Sequence, residues 1–136
     1  MDTEILKELK DELIIKANKP TAKGRIYTDA VIKSIIDDPV LKEKEDKNCN
    51  LVQYHNYIAG IRQGTRIDEN GDLKADIQLL NCPAGRDVLQ LIDGLNATLY
   101  FGPRGHGDII TNENGEEIIE NYYLDGVDIL LLNPYR

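Results

Sequence analysis

Apolar residues in the first part of the chain recur at the spacing of helix turns. Between residues 3 and 17 they form one stripe among charged residues: Ile5, Leu6, Leu9, Leu13 and Ile14. A stripe with this period is typical of an amphipathic helix that packs one face on a core. The pattern predicts a helix over residues 3–17, which ends in the segment 18–21 with its proline.

Two later segments repeat the helical period. The first covers residues 29–37 and follows Thr28, which offers an N-cap. Pro39 either closes this helix or opens another turn, and the charge run at 42–48 is typical of a solvated helix end or loop. The second helix begins at Pro83, a residue favoured in a first turn. The expected buried positions of the two helices are Val31, Ile32, Ile35 and Ile36, then Val88, Leu91, Ile92 and Leu95.

Segments rich in β-branched and aromatic residues predict the strands. They lie at residues 24–27, 51–60, 61–67 after a break at Gly60, 73–80, 96–101, 117–124 and 127–132. Asn70-Gly71 predicts a hairpin turn of the primed type, and Asn114-Gly115 predicts a second turn. The last strand is nearly all apolar, which predicts burial on both faces.

This mixture of elements indicates the fold class. Strands that alternate irregularly with helices predict an α+β fold, a small, mostly antiparallel β-barrel with flanking helices. We expect residues 1–136 to form one domain, with an N-terminal helix or arm over 1–22 and the barrel over 23–136.

Composition narrows the function classes. The chain has 136 residues, a net charge of −8 and 41% hydrophobic residues, which is typical of a globular protein that does not bind nucleic acid directly. No segment approaches the roughly 18 apolar residues of a membrane span, and the acidic N-terminus lacks the features of a signal peptide. We therefore expect synthesis and folding in the cytoplasm. The two cysteines, Cys49 and Cys82, are expected to be reduced thiols.

Metal and cofactor motifs are not found in the sequence. Asp68, Asn70 and Asp72 alternate as in a calcium loop, but the sixth position is Leu73 where an EF-hand needs glycine. The two histidines lack the spacing of zinc ligands. We expect neither a metal nor a cofactor.

Three segments carry a recognisable combination of motifs. Residues 23–27 read Lys-Gly-Arg-Ile-Tyr before a helix, and residues 75–86 place Cys-Pro-Ala-Gly between a strand and a helix. Residues 99–107 end in Gly-Pro-Arg-Gly-His-Gly, and residues 123–134 follow as a strand pair that ends in Asn-Pro. In this order and spacing, the chain resembles the prohead (capsid-maturation) proteases of tailed phages. The resemblance covers residues 23–134 and implies the barrel that this family shares with the herpesvirus assemblins.

The resemblance also implies where a catalytic site should lie. Members of the family cut peptides with a serine activated by histidine, because a hydroxyl needs a neighbouring base before it can attack a carbonyl. The nucleophile position, just before Arg104-Gly105, holds Gly102 and Pro103, which have no hydroxyl. Arg104 and the nearby glycines are expected to preserve the turn of a former oxyanion hole. Ser34, the only serine of the chain, is expected to be an ordinary helix residue.

Three other residues are weak candidates for a relocated site. The family's histidine would fall within residues 39–48, which contain none, so His55 on the following strand is a possible displaced equivalent. His106 stands between glycines in an expected turn. Cys82 precedes a helix N-terminus, where the helix dipole favours a thiolate, and could act with either histidine. The glycines at 102–107 lack the Gly-Lys-Ser/Thr of a phosphate loop.

These expectations favour a protein that has a protease fold but does not cut peptides. The resemblance implies a virion structural protein, a capsid auxiliary or decoration protein that binds the major capsid protein and can self-associate on the lattice. The expected contact arms are the helix at 3–17 and the tail at 133–136. Two alternatives stay open: an active maturation protease with a relocated site, and an assembly factor that leaves before maturation.

Overall fold

The structure is a computed structural model that describes residues 4–135. Seven strands and three helices are found in this range. In chain order they are β1 (Ile5–Ile15), β2 (Arg25–Tyr27), α1 (Asp29–Asp37), α2 (Pro39–Asp46), β3 (Leu51–Tyr54), β4 (Tyr57–Ile67), β5 (Leu73–Leu80), α3 (Pro83–Asp93), β6 (Tyr100–Thr111) and β7 (Glu117–Leu130). No helix within residues 4–135 is long and apolar enough to cross a membrane.

The strands form one mixed sheet. Its order is β1-β5-β4-β3-β7-β2, and β6 pairs with the opposite side of β7. The predicted α+β class is confirmed, but the predicted barrel is not closed. Outer strands β1 and β6 lie in contact, yet each forms a backbone ladder with a single neighbour. Four of the six strand pairs are antiparallel, and the sheet is mixed because β2 and β3 both run parallel to β7.

The segment predicted as the N-terminal helix is strand β1, paired antiparallel with β5. Register shifts interrupt this pairing at three places, and Asp11 has a positive φ of 57°. Bulges break the strict alternation of a strand, so the apolar residues imitate a helical period. The predicted helix or arm is therefore wrong, because pairing with β5 overrides local propensity. Residue 3 of that prediction lies outside the described residues.

Helix α1 forms where it was predicted. The Thr28 side chain accepts a hydrogen bond from Val31 N at 3.2 Å, which satisfies one of the free amides of the first turn. Pro39 opens a further helix, α2, whose N-cap is Asp38. Only Leu41 of α2 is buried. Lys42, Glu43 and Asp46 are exposed as expected, but the Glu45 side chain is only 16% exposed because it faces the buried Arg62.

Several predicted strand boundaries are wrong. The hairpin between β3 and β4 turns at His55-Asn56, where φ is 50° and 69°, and Gly60 lies inside β4. A Cβ atom at Gly60 would lie 2.3 Å from Gln78 O, so glycine there permits close approach of β5. Strand β6 begins at Tyr100 rather than at 96.

Strand β7 also differs from its prediction. It is continuous from 117 to 130, and it ends before Leu131 and Leu132, which are exposed. The predicted burial on both faces is wrong, because Val127 and Ile129 alternate with less buried neighbours in a half-exposed strand. Both Asn-Gly turns are present, but only their glycines have positive φ, so the predicted primed geometry does not form.

The core lies between the sheet and the inward faces of α1 and α3. Its largest fully buried apolar side chains are Ile14, Ile15, Ile32, Ile35, Leu73, Ile77, Leu79, Val52, Val88 and Val127. Arg62 and Asn50 are also fully buried, which is unusual for a guanidinium and an amide. Burial lowers the pKa of Arg62, and the carboxylate of Glu45 acts in the opposite direction.

Candidate functional site

The expected nucleophile position lies on β6, opposite β7. Gly102 pairs with Asp128, and Pro103 pairs with Val127. Gly102 is buried, and a Cβ there would lie 3.0 Å from the Leu130 side chain. Both residues line a cavity of about 290 Å³ that also contains Asp128 and Tyr135. Neither Gly102 nor Pro103 has a hydroxyl that could attack a peptide carbonyl.

The side chain of Arg104, the next residue of β6, is held by hydrogen bonds. Its Nε donates to Asp128 Oδ1 at 2.9 Å, and its Nη2 donates to Asn56 Oδ1 at 2.8 Å. Nη2 also lies 2.8 Å from Asp128 Oδ1. Charge-assisted bonds of this geometry hold a guanidinium in place. Arg104 thereby connects β6, β7 and the β3–β4 turn.

The structure places Arg104 and Gly105 inside a strand, so the predicted turn of an oxyanion hole is absent there. Gly105 is required for packing instead, because a Cβ would lie 2.7 Å from the ring and hydroxyl of Tyr122. Burial and the neighbouring Tyr27 raise the pKa of Tyr122 above its usual range. The two tyrosine rings meet edge to face at 5.3 Å.

His55 is exposed on the β3–β4 turn rather than within a strand. Its ring packs edge to face on Tyr54, with 4.3 Å between ring centroids. The turn separates two grooves and contributes His55 to both. One groove, of about 600 Å³, is also lined by Arg104, Asp128 and residues 129–134. The other, of about 770 Å³, is also lined by Cys82 and Asp87.

Cys82 is the N-cap residue of α3, and its side chain makes no capping bond. Its thiol instead donates to Ile58 O at 3.1 Å and to Leu80 O at 3.5 Å. The thiol proton is therefore directed at backbone carbonyls and not at a histidine base. The structure thus brings Cys82 and His55 to one groove, but the Cys82 thiol bonds to the backbone rather than to His55.

His106 lies apart from these residues, within β6 rather than in the predicted turn. Its Nδ1 is 3.0 Å from Asp125 Oδ2, and its ring stacks on Tyr123 at 5.3 Å. Lys44 Nζ lies 3.8 Å from the other oxygen of Asp125. His106 lines neither groove of His55.

Ser34 is on α1, and its hydroxyl donates to Val31 O at 2.6 Å. The groove beside it is lined by Asp37, Asp38 and Glu120, and neither histidine of the chain contributes to that lining. Ser34 therefore has no imidazole base in its groove. Among residues 4–135, no three histidine, cysteine or acidic side chains are grouped as metal ligands.

Sequence reasoning missed the partners of Arg104. Asn56 and Asp128 are separated from it by 48 and 24 positions, and neither was given a role. Asp128 could have been found from its place in the strand that follows the Arg-Gly motif, since adjacent antiparallel strands align their residues.

Comparison with known proteins supports the fold. No family model and no curated protein matches the chain. Among solved structures, the bacteriophage T4 capsid assembly protease superposes with a TM-score of 0.78 at 15% sequence identity. The match covers 95% of this chain and 88% of that one. The chain therefore has the α+β fold of a phage capsid assembly protease.

Proposed function

We propose that this chain is a non-enzymatic structural protein of a phage head, a capsid auxiliary or decoration protein that binds the major capsid protein. The observation that carries the proposal is the identity of the residues on β6 where the nucleophile is expected. Gly102 and Pro103 stand there, and Arg104 is fixed beside them by Asp128 and Asn56. A protease fold that lacks its nucleophile is retained for its surface. Its place would be the virion capsid, after synthesis in the bacterial host cytoplasm.

The surface that would contact the shell differs from the arms expected from sequence. Strand β1 belongs to the sheet, and the described part of the tail is anchored. Lys16 N donates to the Tyr135 hydroxyl at 2.7 Å, and Ala22 N donates to Pro134 O at 2.7 Å. Position 136 lies outside the described residues. The most exposed apolar side chains near the former site are Tyr57 (72%) and Leu132 (74%), and each lines one of the grooves beside His55.

Co-sedimentation with capsids that lack this protein tests the proposal. We expect the wild-type protein to sediment with the shells and Leu132→Asp to weaken binding by about tenfold, because a buried apolar anchor is worth more than about 1 kcal/mol. Leu95→Asp is the matched control, since Leu95 is also a 74% exposed leucine but lies beyond α3. No sedimentation by the wild type, together with its absence from purified virions, would refute the proposal.

The second candidate is a maturation protease with a relocated site, favoured by the shared groove of Cys82 and His55. We expect no cleavage of scaffold or capsid peptides at high protein concentration, because the Cys82 thiol is bound to backbone carbonyls. Turnover that disappears in Cys82→Ala and His55→Ala, but survives in Cys49→Ala, would establish the protease instead. Presence in immature but not mature particles would indicate a transient assembly factor.

A further inference from the structure

Two turns of the sheet have nearly the same sequence and the same internal hydrogen bonds. The β4–β5 turn, residues 68–72, reads Asp-Glu-Asn-Gly-Asp, and the β6–β7 turn, residues 112–116, reads Asn-Glu-Asn-Gly-Glu. In each turn the first side chain accepts hydrogen bonds from the third and fifth amides, at 2.9 or 3.0 Å. The glycine amide donates to the first carbonyl, at 3.0 Å in one turn and 3.1 Å in the other. The two Asn-Gly pairs therefore differ mainly in their surroundings.

The β4–β5 turn is fastened to the rest of the molecule. Asp72 is buried, and its Oδ1 accepts a hydrogen bond from Ala17 N at 2.8 Å. Lys74 Nζ lies 3.4 Å from Asp68 Oδ2. A Cβ at Gly71 would lie 3.7 Å from the Cβ of Ala17. Opening of this turn therefore breaks bonds to other parts of the chain and exposes a buried carboxylate.

The β6–β7 turn has fewer contacts. Within residues 4–135 its hydrogen bonds stay inside the turn, and the side-chain bond from Asn112 Nδ2 to Glu116 Oε1, at 3.0 Å, joins two of its own residues. Residues 113–116 are exposed, and a Cβ at Gly115 would meet no atom within 4 Å. Local opening of this turn thus costs fewer interactions than opening of the β4–β5 turn.

We propose that Asn114 is a site of spontaneous deamidation and that Asn70 is protected from the same reaction by its surroundings. The Gly115 nitrogen, after loss of its proton, attacks Asn114 Cγ and forms a cyclic succinimide, and the side-chain nitrogen leaves as ammonia. A water molecule then opens the ring and leaves aspartate or isoaspartate. Glycine favours the attack because it has no side chain that would hinder the approach of its nitrogen.

The reaction requires the turn to open. In the closed turn Gly115 N donates its hydrogen to Asn112 O, so this nitrogen faces a carbonyl and cannot attack the side chain of Asn114. The glycine of the β4–β5 turn is held in the same way. The rate at each asparagine therefore depends on how often its own turn opens. Because the β6–β7 turn has no outside contacts to break, Asn114 reacts first.

The product changes both the charge and the backbone of the β6–β7 turn. Asn114 follows Glu113 and precedes Gly115 and Glu116, so a new carboxylate there joins two others. Isoaspartate also adds a carbon atom to the backbone of a turn that connects paired strands. Older molecules would therefore carry an extra negative charge at this turn.

Incubation of the full chain in mildly alkaline buffer, followed by peptic digestion in acid and mass spectrometry, tests this assignment. The acid prevents further deamidation during digestion. We expect Asn114 to convert about fivefold faster than Asn70, or more, in the folded protein. In guanidinium chloride the two asparagines should convert at equal rates, because glutamate precedes and glycine follows each of them.

Two matched variants act on one turn each. Asn112→Ala removes the side-chain acceptor of the β6–β7 turn, and we expect faster conversion of Asn114 with Asn70 unchanged. Asp68→Ala removes the corresponding acceptor of the β4–β5 turn and should accelerate Asn70 alone. Equal rates at the two asparagines of the folded wild type would overturn the inference, as would an Asn114 that converts only in the denatured chain. The reaction does not depend on capsid binding, so its test is separate from that of the proposed function.

Discussion

Replacing Gly85 with alanine is expected to abolish stable folding. Gly85 lies in the first turn of α3, and a Cβ there would lie 1.9 Å from Leu80 O and 2.9 Å from Ala59 O. Both contacts are with backbone, which cannot rotate away, so α3 would have to lift from β4 and β5. We expect a loss of more than about 4 kcal/mol, a large part of the stability of an ordinary domain. Urea denaturation followed by circular dichroism measures it.

Gly102→Ala provides the control for this variant. A Cβ at Gly102 would meet only the Leu130 side chain, at 3.0 Å, and a leucine methyl can shift to accommodate it. We expect a loss below about 1.5 kcal/mol. A Gly85→Ala protein with the wild-type urea midpoint would show that α3 does not lie this close to the sheet.

Replacing Glu45 with alanine is expected to have the next largest effect. Arg62 is fully buried, and its three guanidinium nitrogens have no hydrogen-bond acceptor among the described residues. Its Nε lies 3.7 Å from Glu45 Oε1, which also accepts a bond from Thr65 N at 3.0 Å. Glu45→Ala leaves a buried charge without a counter-ion, and we expect a loss of about 3 kcal/mol.

The double variant separates this charge effect from loss of packing. Arg62→Met fills similar volume without a charge, so adding it to Glu45→Ala should recover most of the lost free energy of unfolding. We expect a coupling energy of about 2 kcal/mol from the double-mutant cycle in urea. Glu43→Ala, which removes an exposed pair with Lys47, should cost less than about 0.5 kcal/mol. Equal effects of Glu45→Ala in the wild-type protein and in the Arg62→Met variant would contradict this account.

The parts of the fold that were predicted from sequence depend on local chemistry. Helix α1 has its cap, Thr28, directly before it, and α3 has a proline in its first turn. The local pattern of strand β1 indicates a helix because its pairing partner, β5, lies 58 (Ile15 to Leu73) to 75 (Ile5 to Leu80) positions away in the chain. Its bulges disturbed the alternation that would have identified a strand. The unclosed sheet also depends on pairings between distant segments, which local patterns do not specify.

In the candidate site, too, local features were predictable from the sequence and contacts between distant residues were not. Residue identity alone predicted that no hydroxyl stands before Arg104, and the structure places Gly102 and Pro103 on β6 beside it. The bonds that fix Arg104 could not be predicted, because Asn56 reaches it from a turn that the sequence did not indicate. The grouping of His55 with Cys82, but not with His106, likewise required the path of the chain in space.

The position of β7 has a consequence for biosynthesis. Strands β2 and β6 have no partner other than β7 among the described residues, and β3 pairs with it on one side. Ribosomes make β7 after every other strand of the sheet. A nascent chain that still lacks it leaves β2 and β6 without a ladder and keeps the apolar face of the sheet open to other chains. Strands β1, β5, β4 and β3 can pair before β7 is made, whereas β2 and β6 join the sheet only after it.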